Sequence, residues 1–248
     1  MNFKNLKEIL SNNNCSFYHL ESTNSTMEES KKILKKTKKN FLVLADQQIH
    51  GKGRRGNYWH SPLGNIYCSI VIKTKICLKE YFFFSMVTAI SVKNTLKKLG
   101  CEEVYFKWPN DIFFKNMKFA GIILEPYYSN NNEKFVIIGL GINFISSPKN
   151  KIYKTTYIKE FINLKDYNKF LEVFFLNFFD YIENYLLNKD SLILEFKNSL
   201  MFLRKNIKIK ISDNENISGI FKDINQDGAL ILDQGKKIVH LYSGSILI

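Results

Sequence analysis

The residues with the clearest chemical potential lie in a short glycine-rich loop. Between Gly51 and Gly56, three glycines alternate with the cations Lys52, Arg54 and Arg55. The chain has 33 lysines but only three arginines, and two of those arginines are neighbours in this loop. A guanidinium group offers a planar fork of donors that matches a phosphate or a carboxylate, and glycine lets backbone N–H groups approach an anion. The loop is therefore predicted to bind an anion, and a nucleotide phosphate fits best.

Two common nucleotide-binding loops are excluded by the pattern. The G-x-x-x-x-G-K-[ST] motif is absent, and the loop does not open a helix as a dinucleotide fingerprint must. Solvated surface loops and nonspecific nucleic-acid contacts have a similar composition, so the loop alone does not decide its function.

A second unusual segment follows a predicted strand at residues 104–107. The two tryptophans of the chain, Trp59 and Trp108, lie in the two unusual segments. A strand, turn and strand after Trp108 predict a hairpin that brings Asp111 close to Lys118. In a pocket such a pair could polarise an anionic substrate, whereas on the surface it is an ordinary ion pair, and the spacing leaves both readings open.

Composition limits the class of protein. The chain has 248 residues, and 45% apolar and 15% aromatic residues exclude a disordered chain. The net charge of +13 favours acidic partners and phosphate ligands. Because the lysines are spread along the whole sequence, this charge is weak evidence for nucleic-acid binding.

The cysteines and the termini predict a cytoplasmic protein. Cys15, Cys68, Cys77 and Cys101 have no spacing that would hold zinc, and residues 1–14 lack the apolar core of a secretory signal. No apolar run approaches the ~18 residues of a membrane span. We also expect no helix-turn-helix module ahead of the main domain.

The periodicity of apolar residues predicts a mixed domain followed by a small β domain. Helices are predicted at about 26–36, 80–99 and 165–188, and strands at 41–45, 66–72, 104–107 and 135–138. From residue 203 onward, short alternating segments and turn signals predict a small barrel docked on the larger domain. The predicted domains are residues 1–202 and 203–248.

Small polar side chains precede the first of these predicted helices. Ser22, Thr23 and Asn24 could line a polar pocket, but a turn ahead of a helix is their commoner role. Ser25 followed by Glu28 fits a capping box.

Taken together, the motifs resemble those of the biotin protein ligases, in order and spacing. The resemblance is close over about residues 18–145 and looser at the C-terminal end. The motifs are Ser22-Thr23-Asn24, Gln48, Gly51-Lys52-Gly53-Arg54-Arg55-Gly56, Trp59-x-Ser61-Pro62, Lys107-Trp108-Pro109-Asn110-Asp111, Lys118-x-Ala120-Gly121-Ile122 and Gly139-x-Gly141-Ile142-Asn143.

The resemblance implies both a fold and a reaction. The fold would be α+β, with a catalytic domain like that of the class II aminoacyl-tRNA synthetases and a small C-terminal SH3-like β-barrel. The reaction would join biotin to ATP as biotinyl-5′-AMP and then transfer biotin to a lysine of a biotin carboxyl carrier protein, a subunit of acetyl-CoA carboxylase.

The resemblance also assigns roles to residues. Ser22, Thr23 and Gln48 would contact the ureido ring of biotin, and residues 53–55 would hold its carboxylate and the phosphate. Lys118 would bind the biotin carboxylate and the adenylate phosphate, and Asp111 would sit near the acceptor amine or a metal. Lys118, Arg54 and Asp111 would be the catalytic residues. The other implied binding residues are Asn24, Lys52, Gly53, Arg55, Trp59, Asn110, Gly121 and Asn143.

The implied ligands are ATP, biotin and Mg²⁺ carried mainly by the nucleotide, with no metal site of the protein's own. The resemblance leaves homodimer formation open, and we expect no specific DNA binding. Lys52 stands where the family usually has an arginine, which predicts looser retention of the adenylate. The alternatives are a lipoate or octanoate ligase of the same fold and, less favoured, a basic nucleic-acid-binding protein.

Overall fold

A computed structural model describes residues 3–149, 153–212 and 214–247. Asp213, part of a predicted turn, and Ile248, the last residue of the last predicted strand, lie outside these residues.

The larger part of the chain is built on a seven-stranded sheet. Its strands are β1 (Cys15–Thr23), β2 (Asn40–Gln48), β3 (Ile66–Lys73), β4 (Val104–Lys107), β5 (Asp111–Phe114), β6 (Met117–Tyr128) and β7 (Lys134–Ile142). The order is β1-β2-β3-β7-β6-β5-β4. Only β1 and β2 run parallel, and all other neighbours are antiparallel. The predicted α+β class and the strands at the centre of this sheet are confirmed.

Six helices accompany this sheet in the described residues. They are α1 (Lys4–Asn12), α2 (Thr26–Leu34), α3 (Phe82–Lys98), α4 (Ile158–Phe161), α5 (Asn168–Glu183) and α6 (Tyr185–Asn198). Most of α3 is buried, and it packs against β6, α5 and α6. No helix within the described ranges combines the length and the apolar character that crossing a membrane requires.

The prediction of one long helix at residues 165–188 is wrong in one respect. The structure has two consecutive helices there, which are separated at Asn184, and the second extends to Asn198. Asn184 is the C-cap residue of α5, and its side chain donates to the backbone carbonyl of Asp180 at 3.0 Å. Asparagine competes for backbone groups in this way, and apolar periodicity does not reveal it. The sequence analysis therefore missed most of α6.

The capping box predicted for α2 is also wrong. Ser25 is the N-cap residue by position, but its side chain makes no capping hydrogen bond. The backbone N–H of Thr26 instead donates to Gln48 Oε1 at 2.9 Å. Glu28 is engaged by Lys52 and Lys31 rather than by the helix start. The Gln48 side chain, on β2, thus replaces the local cap of α2.

The C-terminal part forms a five-stranded antiparallel sheet. Its strands are β8 (Asn206–Lys210), β9 (Asn216–Ile224), β10 (Leu230–Asp233), β11 (Ile238–Leu241) and β12 (Ser245–Ile246), in the order β11-β10-β9-β8-β12. Closure into a barrel would require the outer strands β11 and β12 to pair. That pairing is not found in the part of the chain that the structure describes, where the two residues of β12 both pair with β8.

The two sheets are joined through a buried tryptophan. Trp108 is 1% exposed, and its indole Nε1 donates to the carbonyl of Gly228 at 2.9 Å. Gly228 itself lies against the ring of Phe82, where a Cβ atom would come within 2.0 Å of a ring carbon. One continuous apolar core includes residues of both sheets. The small sheet is therefore docked firmly beside the strand that ends at Lys107.

The cysteines are all free thiols. Cys15, Cys68 and Cys101 are buried and Cys77 is exposed. Burial raises the pKa of the Cys68 thiol to about 12, so this thiol stays protonated and unreactive at neutral pH.

Candidate active site between the two sheets

A cavity of about 880 Å³ opens between the glycine loop, the middle of the seven-stranded sheet and the edge of the C-terminal sheet. The structure brings most of the predicted site residues together around it. These lining residues are Gln48, Lys52, Gly53, Arg54, Arg55, Trp59, Asn110, Asp111, Lys118 and Gly121.

Four of the residues predicted to contact a ligand do not line the cavity, and three of them are neighbours at the end of β1. Ser22 and Asn24 are exposed, and Thr23 ends the edge strand β1. Ser25 and Thr26 line the cavity instead. The sequence repeats Ser-Thr three positions later, at the start of α2, and Thr26 of this second pair hydrogen-bonds to the Gln48 side chain. The residue types alone do not indicate at which residue β1 ends and α2 begins.

Asn143 also lies away from the cavity lining. It is 3% exposed, and its side-chain amide donates to the carbonyl of Thr156 at 3.2 Å. Its own carbonyl accepts a hydrogen bond from Ile158 at 2.9 Å. The structure gives Asn143 a role in anchoring the segment that carries Tyr153, which does line the cavity.

One end of the cavity is polar and uncharged. Gln48, at the end of β2, accepts from the backbone N–H and the hydroxyl of Thr26 at 2.9 and 3.2 Å. Its amide donates to Ser61 Oγ at 3.0 Å. The Thr26 hydroxyl in turn accepts from Ser69 at 2.8 Å. These contacts fix the Gln48 amide, so its remaining hydrogen-bonding capacity has a defined direction.

The indole of Trp59 covers two glycines on neighbouring strands. Gly121 and Gly141 are paired across β6 and β7. A Cβ atom on Gly121 or Gly141 would come within 3.0 or 2.6 Å of the Trp59 ring. The absence of side chains at these two positions is what lets the indole lie against the sheet. Within the described residues, Trp59 Nε1 and Ser25 Oγ are buried without hydrogen-bond partners.

The other end of the cavity is cationic. Lys118 Nζ lies 2.7 Å from Asp111 Oδ1, and both side chains are mostly shielded from solvent, with 11% and 21% exposed. The two groups meet across β5 and β6, where the register shifts between Ile112 and Phe113. The rings of Trp59 and Tyr153 each lie 5.3 Å from the ammonium group. The pocket reading of this pair is therefore the one that the structure supports.

Lys107 is a second buried lysine at this end, and the sequence analysis assigned it no role. It is 8% exposed, and its Nζ lies 5.8 Å from the Phe113 ring and 6.0 Å from the Tyr153 ring. Burial lowers its pKa, Lys118 lowers it further, and Asp111 opposes the shift. The sequence did contain one indication of a role for Lys107, because it is the first residue of the Lys107-Trp108-Pro109-Asn110-Asp111 motif.

Two arginines fasten the glycine loop to its surroundings. Arg54 Nη1 donates to Asn110 Oδ1 at 3.0 Å, and Asn110 donates to the carbonyl of Ile122 at 2.9 Å. Burial is the main cause that lowers the pKa of Arg54, which nevertheless stays charged at neutral pH. Arg55 adopts a left-handed conformation, with φ of 54°, and donates to Ser243 Oγ at 3.1 Å. The loop thus spans the cavity and contacts both sheets.

Comparison with known families agrees with this geometry. The profile of the biotin/lipoate A/B protein ligase family matches residues 16–143, and that of the biotin protein ligase C-terminal domain matches residues 203–248. The chain belongs to the biotin/lipoate A/B protein ligase family. The resemblance to the biotin protein ligases that the motifs indicated is thereby confirmed.

Individual relatives of this family are similar over much of the chain. The bifunctional ligase/repressor BirA of Escherichia coli is 29% identical over 213 residues, which cover 82% of this chain and 64% of the relative. The biotin--[acetyl-CoA-carboxylase] ligase of Paracoccus denitrificans is 33% identical over 132 residues, which cover 52% of this chain and 55% of the relative.

Solved structures of the same family share the fold. A biotin protein ligase from Aquifex aeolicus, in complex with biotin and ATP, has a TM-score of 0.77 at 21% identity and covers 93% of this chain and 97% of its own. A biotin acetyl coenzyme A carboxylase synthetase from Helicobacter pylori, with bound biotinylated ATP, has a TM-score of 0.65 at 22% identity and covers 91% of this chain and 99% of its own.

Proposed function

We propose that this protein is a biotin protein ligase, which activates biotin with ATP and transfers it to a lysine of a biotin carboxyl carrier protein. One observation carries the proposal: a single cavity joins a polar, uncharged end around Gln48 to a cationic end around Lys118. A volume of about 880 Å³ is large enough for a bicyclic vitamin and a nucleotide together.

The uncharged end suits the ureido ring of biotin. A cyclic urea presents one carbonyl acceptor and two N–H donors, and a fixed set of hydroxyl and amide groups can pair with all of them. Gln48, Thr26 and Ser25 provide that set. Ser25 Oγ is buried without a partner among the described residues, and an unpaired buried polar group costs about 1–3 kcal/mol. A ligand that pairs with this hydroxyl would recover that cost. We therefore assign to Ser25 and Thr26 the role that the sequence gave to Ser22 and Thr23.

The cationic end suits the activation step. The biotin carboxylate attacks the α-phosphorus of ATP, the bond to the β-phosphate oxygen breaks, and pyrophosphate leaves. Negative charge builds on the phosphate oxygens during this displacement, and fixed cations stabilise it. Lys118, Lys107 and Arg54 all line the cavity. Lys118 can pair with an incoming anion while it stays next to Asp111, so we assign it the main role in stabilising the charge on the phosphate.

The transfer step needs an amine in place of pyrophosphate. The acceptor lysine attacks the carbonyl carbon of the mixed anhydride, AMP leaves, and the amine loses a proton. Asp111 is the carboxylate nearest to this point among the lining residues, so we assign it to orient the amine. The glycine loop, which carries Arg54 and Arg55, would exclude water from the anhydride until the acceptor arrives.

Mg²⁺ fits this site as a companion of the nucleotide rather than as a resident metal. The described residues contain no group of three or more His, Cys, Asp or Glu side chains that could hold an ion. The one carboxylate at the cationic end, Asp111, is paired with Lys118. Bound Mg²⁺ would screen the triphosphate charge, while the lysines and arginine above act on the reacting phosphate.

The remaining expectations belong to the same proposal. The seven-stranded sheet with its helices would be a domain of the class II aminoacyl-tRNA synthetase type, and the C-terminal sheet an SH3-like domain, divided near residue 203. Free thiols agree with a reducing cytoplasm as the location. The acceptor would be a subunit of acetyl-CoA carboxylase. Homodimer formation stays open, and the absence of specific DNA binding stays a prediction.

The test compares vitamins on one protein. Biotin, lipoate and octanoate are offered separately, each with ATP, Mg²⁺ and labelled pyrophosphate, and exchange of the label into ATP is measured before any carrier domain is added. The proposal predicts exchange with biotin and none with lipoate. Exchange with lipoate or octanoate alone would favour the rival ligase. Tight, salt-sensitive nucleic-acid binding without any exchange would favour the nucleic-acid-binding reading.

A further inference from the structure

The third cation of the glycine loop does not behave like the two arginines. Lys52 lines the cavity, but its ammonium group donates a short hydrogen bond to Glu28 Oε1 on α2. Arg54 and Arg55 instead contact uncharged groups, Asn110 Oδ1 and Ser243 Oγ. An arginine held only by a neutral acceptor is free to exchange it for a phosphate, because charged hydrogen bonds are the stronger ones. Lys52 already has its anion.

Glu28 is itself held in place by a row of alternating charges. Lys31, one turn further along α2, lies 3.3 Å from Glu28 Oε1 and 2.6 Å from Glu125 Oε1 on β6. The row Lys52–Glu28–Lys31–Glu125 therefore runs from the loop, across the helix, to the central sheet. The hydrogen bond from Lys52 is the main cause that lowers the pKa of Glu28, so this carboxylate is charged at neutral pH.

The glycine loop is braced by hydrogen bonds within its own backbone. Its two sides are joined by hydrogen bonds from Trp59 N to Gly51 O at 2.9 Å and from Gly53 N to Asn57 O at 2.7 Å. A single attachment near Lys52 can therefore set the position of Arg54 and Arg55. It is also the attachment that a ligand phosphate does not need to displace.

We propose that Glu28 is a positioning residue that holds the glycine loop over the cavity through Lys52. In this proposal Lys52 anchors the loop to α2 and does not contact the ligand. A further consequence, which rests on the proposed function, is that Glu28 slows the escape of the acyl adenylate. Lys52 in place of the usual arginine then does not by itself loosen retention.

The scarcity of arginine supplies a direct test of loop position. A protease that cuts only after arginine has three targets in the full-length chain, Arg54, Arg55 and Arg204. Arg204 is exposed in the connection to the C-terminal sheet and lies outside the glycine loop, so cutting there is an internal reference for protease activity. The ratio of cutting in the loop to cutting at Arg204 is measured without any ligand. It does not depend on the reaction that the protein catalyses.

Glu28→Gln should raise this ratio about two- to fivefold, which corresponds to the ~0.5–1 kcal/mol of a good exposed ion pair. Glu28→Asp should restore part of the protection. The matched control is Glu29→Gln, which removes a carboxylate of the same helix that pairs only with Lys32 among the contacts described, at 2.9 Å. High salt should raise the ratio in the wild type and not in Glu28→Gln, because it screens the same pair.

A second comparison isolates the pairing partner. Glu28→Gln is introduced into a Lys52→Met background, and cutting is compared between chains with the same loop sequence. The proposal predicts no further increase there. An unchanged ratio in Glu28→Gln, or an equal increase in both backgrounds, would overturn it. If loop protection behaves as predicted but no biotin-dependent exchange occurs, the positioning role stands and the proposed function fails.

Discussion

Lys118 and Asp111 form a close ion pair, at 2.7 Å, in the wall of a cavity that also carries Lys107 and Arg54. Their partnership crosses a hairpin whose strands are shifted by a bulge, so neither residue reaches the other through the regular register. An anion that enters the cavity competes with Asp111 for the same ammonium group. The account of function given above depends on that competition.

Replacing Lys118 should remove most of the activation step. Lys118→Ala is expected to slow biotin-dependent pyrophosphate exchange by about 10²–10³-fold, the usual cost of losing one fixed donor to a developing negative charge. The control is Lys115→Ala, at the exposed turn of the same hairpin, where Lys115 pairs with Glu103 at 3.3 Å. Full exchange activity in Lys118→Ala, with the control also active, would refute the role given to this lysine.

Arg54 is expected to act mainly on retention. Arg54→Ala should weaken biotin binding and let free acyl adenylate appear in solution, because the loop loses both its phosphate contact and its link to Asn110. Arg54→Lys should recover only part of the effect, since a point charge cannot form a bidentate contact. The measurement is the fraction of adenylate that passes an ultrafiltration membrane. A fraction equal to that of the wild type would contradict the assignment.

The burial of Lys107 predicts how the stability of the protein depends on pH. Its pKa is lower in the folded chain than in the unfolded one, mainly through burial, so the unfolded chain binds more protons between the two values. Stability then rises with pH through that window, up to the unfolded value of ~10.4. Below the folded pKa the buried charge costs free energy, and Lys107→Met should relieve that cost while weakening nucleotide binding.

The measurement is the free energy of unfolding of the wild type and of Lys107→Met at several pH values between 7 and 10. The advantage of the variant should be largest at neutral pH and should shrink as the pH rises. Lys208→Met, at an exposed position on β8, is the control and should show no such trend. A gap between wild type and Lys107→Met that grows with pH would contradict the predicted sign.

The two tryptophans should respond differently to the same substitution. Trp108→Phe removes the donor to Gly228 O and should cost about 1–3 kcal/mol, because a buried carbonyl loses its partner. Trp59→Phe removes an Nε1 that has no partner among the described residues, so its cost should be smaller. Urea unfolding of both variants tests this order. Equal costs, or a larger loss for Trp59→Phe, would show that the Trp108–Gly228 bond does not join the two sheets as described.

The parts of the fold that the sequence predicted well are those with strong local signals. Buried strands such as β3 and the hairpin that joins Asp111 to Lys118 follow from apolar runs and turn residues. The errors arose where a distant residue decides the outcome. Gln48 accepts from the first backbone N–H of α2, in place of the predicted capping box, and no local pattern indicates that contact. The break between α5 and α6 is a local feature instead, because it lies at Asn184, whose side chain donates to the carbonyl of Asp180, and apolar periodicity does not reveal such a contact.

The burial of Lys107 could not be predicted from the sequence for another reason. Lysine occurs throughout this chain, so its residue type carries little information, and its exposure depends on Tyr153 and Phe113 folding over it. Arginine is rare enough here for its position to be informative, and both loop arginines do line the cavity.

The central claim is that one cavity makes and shelters an acyl adenylate, and the most direct measurement looks for that molecule. The full-length protein is incubated with biotin, ATP and Mg²⁺ in the absence of any acceptor, passed through a desalting column, and analysed for bound small molecules by mass spectrometry after denaturation. The account predicts biotinyl-5′-AMP close to one equivalent per active chain, and its loss in Lys118→Ala. Recovery of unreacted biotin and ATP alone, or of no ligand at all, from a folded protein would contradict it.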